Sequence, residues 1–295
     1  MASTRTDRWN TADIPDQSGR HIVITGGNSG LGAVAAKALA GAGARVTIAC
    51  RDTAKGEEAA RSMSGDVTVR ELDLADLASV RAFAKGIGTL DVLVNNAGIM
   101  AVPHRTTKDG FEMHIGTNHL GHFALVGLLL EGITDRVVVV SSNAHKPGRI
   151  RLDDLNWEKG RYKRWNAYSQ SKLANLSFTY ELDRRLEIAG SSVKAVAAHP
   201  GYAATNLQSH TESLQDVMMA VGNVIIAQSA EMGALPILYA ATMPDVEGGA
   251  YYGPDGWMEN RGYPKRVRST AASRDEEVAG GLWDLSEELT GVRYP

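Results

Sequence analysis

Short runs of aliphatic and β-branched residues alternate with longer stretches of helix formers along most of the chain. The runs "HIVITGG" (21–27), "RVTIAC" (45–50), "VTVREL" (67–72), "LDVLVNNAG" (90–98), "RVVVVSS" (136–142), "VKAVAAHPG" (193–201) and "GAYYG" (249–253) read as strands. Between them, "LGAVAAKALAGAGA" (31–44), "TAKGEEAARSM" (53–63), "DLASVRAFAKGI" (76–87), a stretch over about 109–131, another over about 166–189 and "EMGALPILYAAT" (231–242) read as helices. Several strands are apolar throughout, as strands covered on both faces are. Strand–helix alternation predicts parallel pairing, since a parallel pair needs a long crossover. The expected fold is α/β: a single doubly wound Rossmann domain over 1–295, with a seven-stranded parallel sheet and helices on both faces. Residues 1–18 read as an N-terminal extension, 202–228 as a substrate-loop region and 254–295 as a C-terminal extension.

Composition acts mainly by exclusion. Hydrophobic residues make up 43% and charged residues 22%, as in an ordinary globular chain. A net charge of −3 gives no electrostatic footprint for nucleic acid or an acidic membrane surface. The polar N-terminus lacks the apolar core of a secretory signal, and "ALVGLLL" (124–130) is too short to span a bilayer. The single cysteine, Cys50, excludes an intrachain disulfide and suits a reducing compartment. A cytoplasmic protein without a membrane anchor is expected. His119 and His122 sit three apart on a helix, but no third ligand has metal spacing, so no metal is expected. The basic run "RGYPKRVR" (261–268) reads as a solvated loop, and Asp153–Asp154 and Glu287–Glu288 as solvated acids.

Candidate chemistry begins where the first strand meets the first helix. In "ITGGNSGLG" (24–32), Gly26, Gly30 and Gly32 form T-G-x-x-x-G-x-G. Glycines let the backbone turn tightly and approach a pyrophosphate, and the helix that follows offers free N–H groups and a positive dipole end. A tight turn without a ligand is the alternative. A triphosphate loop is disfavoured, because Gly32 is followed by Ala33 rather than Lys. At the end of the second strand, where an acid would accept from an adenosine 2′-hydroxyl, stand Cys50 and Arg51. An arginine fork there suits a 2′-phosphate, which favours NADP(H) over NAD(H). Asp52 could pair with Arg51 or take the hydroxyl itself. Asp73 and Leu74 end the third strand, where Asp73 could meet the adenine edge or serve as a turn acid.

These parts come together with "NNAG" (95–98), Asn118, Ser142, "YSQSK" (168–172) and "HPGYAAT" (199–205), in that order over almost the whole chain. The chain resembles the short-chain dehydrogenases/reductases. "IACRD" (48–52), "TNHLGHF" (117–123), "VSSNAH" (140–145), "YSQSKLANLSFTYEL" (168–182), "LSEELTG" (285–291) and the 25 residues between Ser142 and Tyr168 make it similar to the branch of the retinol dehydrogenases, WW-domain oxidoreductases and protochlorophyllide reductases. The resemblance implies an oxidoreductase acting on a small, apolar carbonyl or alcohol. Tyr168 would be the general acid and base. Lys172, one helical turn away, would lower the phenol pKa and bind the nicotinamide ribose. Ser142 would hold the substrate oxygen, with Ser141 as the alternative, and Asn118 would hold a kink and a water of the proton relay. Thr25, Gly26, Asn28, Ser29, Gly30, Leu31, Gly32, Arg51, Asp73, Leu74, Asn95, Ala97, Gly98, Pro200, Gly201 and Thr205 would join Tyr168 and Lys172 in contacting the cofactor. Family members often form homodimers or homotetramers. Trp157, Tyr162 and Trp165 either wall the pocket or pack the loop. A dinucleotide-binding sensor or scaffold without catalysis is the competing reading; it would usually have lost one of Tyr168, Lys172 or Ser142.

Overall fold

Eight strands hydrogen-bond into one sheet in the computed structural model, which describes residues 8–202 and 228–295. In chain order these are β1 His21–Thr25, β2 Arg45–Cys50, β3 Val67–Glu71, β4 Leu90–Asn95, β5 Ile133–Val140, β6 Lys194–Ala198, β7 Tyr251–Pro254 and β8 Pro264–Arg266. The spatial order is β3-β2-β1-β4-β5-β6-β7-β8. Pairing is parallel from β3 to β7, and β8 runs antiparallel to β7. The expected seven-stranded parallel sheet is therefore corrected to eight strands, seven of them parallel. The eighth lies within "RGYPKRVR", which is thus not wholly a loop. It was invisible because a three-residue edge strand carrying Pro264, Lys265 and Arg266 presents no apolar face to detect.

Alternation along each strand divides the core. Ile22, Ile24, Val46, Ile48, Val92, Val94, Val138 and Val140 face helices α1 (Gly30–Gly41) and α6 (Ala230–Thr242). Val23, Leu93, Val137, Val139 and Ala195 face the other way. They pack on α3 (Leu77–Lys85), α4 (Gly121–Leu129), α5 (Arg164–Ile188) and α7 (Glu276–Thr290). Helix α2 (Thr53–Arg61) links β2 to β3. Both faces of the parallel region are covered, which explains strands that are apolar at every position. Among the described residues, no helix is long and apolar enough to cross a membrane.

Two helical expectations change. The stretch over about 109–131 does not start as a helix. Gly110 turns with φ +86°, a π-helical turn follows at Ile115–Leu120, and α4 runs from there. Helix α7 fell within the supposed C-terminal extension. Its signals are nevertheless local: Asp275 caps the start by accepting from Val278 N (3.1 Å), and Gly291 ends it with φ +61°. Ala279, Leu282, Trp283, Ser286 and Thr290 form its buried stripe.

The strand order reverses between β1 and β4, and ligands of such sheets bind at the C-terminal ends beside that point. The loops after β1, β4, β5 and β6 all emerge at this edge.

Candidate active site

After β1, Gly26 and Gly30 adopt φ +68° and +52°, which side chains with a Cβ rarely take. A Cβ on Gly32 would collide with the Gly26 carbonyl oxygen and with Asn96 Nδ2. Ser29, at the N-cap of α1, makes no side-chain capping bond, so the first turn keeps its N–H groups for another acceptor. This cradle fits a pyrophosphate: bare backbone, a close turn and an uncapped helix start together. Asn28 is half-buried and Ser29 exposed on the loop, while Leu31 packs into the core.

Thr25 occupies a different position from the rest of the loop. Its side chain is fully buried, and its hydroxyl accepts from Asn96 N and Ala97 N at 2.9 Å each and meets His122 Nε2 at 2.9 Å. It ties the end of β1 to the end of β4, with no hydroxyl valence left for a ligand. Asn96 completes the tie by donating from Nδ2 to Thr25 O (2.9 Å). Asn95, the asparagine of this pair expected at the cofactor, has a buried carboxamide with no hydrogen-bond partner among the described residues. The signal was present in the doubled asparagine, but only the strand register shows which one turns toward the glycine loop.

At the adenosine end, Arg51 lies just beyond β2, exposed. Asp52 is not its partner. It N-caps α2 by accepting from Lys55 N (3.0 Å) and pairs with Lys55 Nζ at 3.5 Å. Cys50 is buried, and burial pushes its thiol up to about 11. Asp73 lies two residues past β3, one oxygen accepting from Ala75 N (2.9 Å), and Leu74 is buried beneath α4.

The tyrosine, lysine and serine converge where β5 ends and α5 begins. Tyr168 is 5% exposed and Lys172 4%. The Lys172 Nζ stands 5.9 Å from the Tyr168 ring centroid and donates to Val140 O (3.1 Å). The Ser142 hydroxyl hydrogen-bonds the phenol, whereas Ser141 turns away and donates to Lys172 O (2.8 Å). The expected lowering of the phenol is reversed in the chain by itself: burial pushes Tyr168 up to about 12, partly offset by Ser142. Burial also pushes Lys172 down to about 8. Desolvation of both groups outweighs their mutual effect.

Asn118 lies in the π-helical turn. Its Oδ1 accepts from Ile99 N (2.8 Å), and its Nδ2 donates to Ile99 O (3.0 Å) and Ser171 Oγ (2.9 Å). It thereby fixes the chain after β4 to α5, two residues past Ala97. A Cβ on Gly98 would approach Asn118 Oδ1 (3.1 Å) and Lys172 Nζ (3.5 Å), so this turn lies against Lys172. His122 Nδ1 donates to Asn118 O (3.0 Å), which carries the network back to Thr25. Burial pushes His122 down to about 4, keeping it neutral. His119 instead meets Ser286 Oγ on α7 at 3.0 Å.

Around this centre, Trp165 is 39% exposed with its ring 6.2 Å from that of Tyr168. Tyr162 belongs to a buried cluster that no sequence motif announces. Glu112 and His114 are wholly buried and paired at 2.7 Å, and Tyr162 donates to Glu112 Oε1 (2.9 Å). The cluster pins the segment before α4 to the long connection before α5. A glutamate two residues before a histidine within an otherwise apolar run, "FEMHIG", was its only local signal. Asp154 is also buried rather than solvated, pairing with Arg151 at 2.6 Å and accepting from Glu158 N (2.6 Å). Glu287 is likewise engaged, by Arg293 (2.6 Å) and Tyr294 N (3.0 Å). Pro200 and Gly201 form the turn after β6, and Thr205 lies outside the described residues.

Residues 20–216 match the family model for short chain dehydrogenase. The chain is 43% identical to retinol dehydrogenase 12 of Homo sapiens over 94% of its own length and 88% of that protein. It is 42% identical to retinol dehydrogenase 14 of Mus musculus, covering 93% and 86%. A solved structure of an uncharacterized protein from Mycobacterium paratuberculosis superposes with a TM-score of 0.86 at 54% identity, covering 98% of this chain and 99% of that one. A 3-ketoacyl-(acyl-carrier-protein) reductase from Brucella melitensis, at 22% identity and a TM-score of 0.63 over 80% of this chain and 96% of its own, shares the fold. The chain belongs to the short-chain dehydrogenases, in their retinol-dehydrogenase-like branch, and is an oxidoreductase of CH–OH and C=O groups that uses a nicotinamide dinucleotide.

Proposed function

We propose that the protein is an NADP(H)-dependent carbonyl reductase and alcohol dehydrogenase for a small, apolar, retinoid-like substrate. The observation that carries this reading is the convergence of the Ser142 hydroxyl, the Tyr168 phenol and the Lys172 ammonium in one buried site. The nicotinamide, when bound, supplies or accepts the hydride. Tyr168 gives the proton to the substrate oxygen in reduction and takes it back in oxidation. A phenol held at about 12 is protonated at neutral pH, which suits the reductive direction. Ser142 holds the same oxygen against the phenol. Lys172 spends one N–H on Val140 O and has two left for ribose hydroxyls. Asn118 keeps the Gly98 turn and α5 in register. The loop Gly26–Gly32, the 95–98 and 200–201 turns, Asp73 and Leu74 would hold the rest of the dinucleotide.

Arg51 supports NADP(H) over NAD(H). It is exposed at the strand end, while the neighbouring acid that could have served a 2′-hydroxyl is occupied capping α2. The exposed face of Trp165 beside Tyr168 and the names of the retinol dehydrogenase relatives support an apolar substrate.

Tyr168→Phe tests the reading. Its kcat with NADPH and an apolar aldehyde is expected to fall by about 10²- to 10⁴-fold, with NADPH affinity unchanged within about threefold. Turnover at the wild-type rate in this variant would exclude the mechanism.

A further inference from the structure

The loop between β7 and β8 carries two consecutive non-glycine residues in the left-handed region, Met258 (φ +50°, ψ +25°) and Glu259 (φ +58°). This conformation costs energy for residues with a Cβ, and it persists only where other contacts hold it. Packing does not do so here, since Met258 is 62% and Trp257 82% exposed. The restraint is polar. The Glu259 carboxylate stands 3.4 Å from Lys146 Nζ and 3.4 Å from His199 Nε2. Asn143 Nδ2 donates to the carbonyls of both Met258 and Glu259, at 3.4 Å each.

Each of these partners belongs to a turn at the catalytic edge. Asn143 opens the short helical turn Asn143–His145 and Lys146 ends it, and Ser142 caps its start by accepting from Ala144 N (3.1 Å). His145 Nδ1 donates to Ser142 O (2.7 Å). His199 starts the turn after β6. Its Nδ1 accepts from Gly201 N (3.2 Å), so the neutral ring carries its hydrogen on Nε2, which faces Glu259. A Cβ on Gly253 would collide with that ring, and Tyr202 N donates to Asn260 O (2.8 Å). The strained loop is therefore stitched to the segments that follow both β5 and β6.

We infer that Glu259 is a positioning residue for Ser142: its carboxylate, whose contacts hold the strained loop, clamps the Asn143–Lys146 turn and sets the serine hydroxyl against the Tyr168 phenol. This rests on Ser142 holding the substrate oxygen, as proposed above. Glu259 touches neither substrate nor cofactor in this role. Its partners in the clamp are His199 from the β6 turn and Lys146 from the β5 turn. The facing His199 ring and the Lys146 ammonium keep the carboxyl below its ordinary range, so it is charged at neutral pH.

The test compares Glu259→Ala, Glu259→Gln and Met258→Gly in the full chain. In Glu259→Ala, kcat is expected to fall about 10- to 100-fold with NADPH affinity unchanged, the size of a small misplacement at a reacting centre. In the cofactor-free protein, amide hydrogen exchange at Ala144, His145 and Lys146 is expected to quicken about tenfold while exchange in α1 stays constant. Glu259→Gln keeps an acceptor for His199 and should recover turnover to within about threefold of wild type. Met258→Gly removes the steric cost but frees the loop. It should fold normally, lose about three- to tenfold in kcat and show the same quickened exchange. Wild-type turnover or unchanged exchange in Glu259→Ala overturns the inference, as does a Gln variant no better than Ala. Tyr168→Phe run alongside separates the causes: an active Tyr168→Phe defeats the catalytic reading, whereas an inactive one beside a normal Glu259→Ala defeats only the clamp.

Discussion

At the glycine loop the site is made by leaving side chains out; at the end of β5 it is made by burying groups that would rather be in water. A loop that is to bind through backbone N–H groups has steric requirements, and this one meets them: positive φ at Gly26 and Gly30 and no Cβ at Gly32. The end of β5, where catalysis is proposed, holds a phenol pushed up to about 12 and an ammonium pushed down to about 8, both through desolvation. Substitution should damage the two regions in different ways. Loss at the loop should appear as lost affinity and lost stability together. Loss at the catalytic end should separate activity from stability.

Lys172→Met draws the contrast most strongly. The folded pKa lies below the unfolded value of 10.5, so the unfolded chain binds more protons between about 8 and 10.5. Stability therefore rises with pH through that window, and below about 8 the whole desolvation cost is present. An apolar replacement at pH 7 is expected to stabilise the fold by up to about 3 kcal/mol while lowering kcat by about 10²- to 10⁴-fold. Urea denaturation beside steady-state kinetics checks both; destabilisation at pH 7 would break the comparison from this side. The wild-type reductive rate should also fall as pH rises through about 8, where the lysine loses its proton.

Gly32→Ala is next. Its methyl group meets the Gly26 carbonyl, so the turn must open, with an expected cost of about 1–3 kcal/mol in stability and about 100-fold in NADPH affinity by fluorescence titration. An Ala variant that binds as tightly as wild type would mean that the loop is not a phosphate cradle. Arg51→Ala is the smallest. It removes a charge-assisted bond at an exposed position and should weaken NADPH by about tenfold, leaving NADH unchanged. Equal loss for both cofactors would remove the proposed 2′-phosphate contact.

The same contrast governs what could be read from the sequence. Glycine spacing, the Tyr-x-x-x-Lys pair and β2 (Arg45–Cys50) depend on neighbours in the chain, and the pattern carries them. Asn96 and Thr25, Tyr162 and Glu112, and Glu259 and His199 stand 71, 50 and 60 positions apart, and the buried Glu112–His114 pair, only two apart, meets Tyr162 from another segment. Such contacts depend on sheet register and loop placement, for which one sequence carries no period. The reversed shift of Tyr168 has the same origin, because a helical turn brings Lys172 near but says nothing of how dry both become. Helix α7 is the exception, since its cap, stripe and terminal glycine were all local and simply lay in a region assigned to an extension.

The antiparallel eighth strand has a consequence beyond completing the sheet. A parallel sheet of this length ends in a row of open amide groups that invites another strand. Here the outermost strand is three residues long, begins with Pro264, which has no N–H to offer, and continues with two cations, one of them, Arg266, bound to Glu247. The opposite edge, β3, shows Thr68, Arg70 and Glu71 to solvent. Among the described residues both margins of the sheet are poor templates, so molecules crowded together have little means of zippering strand to strand.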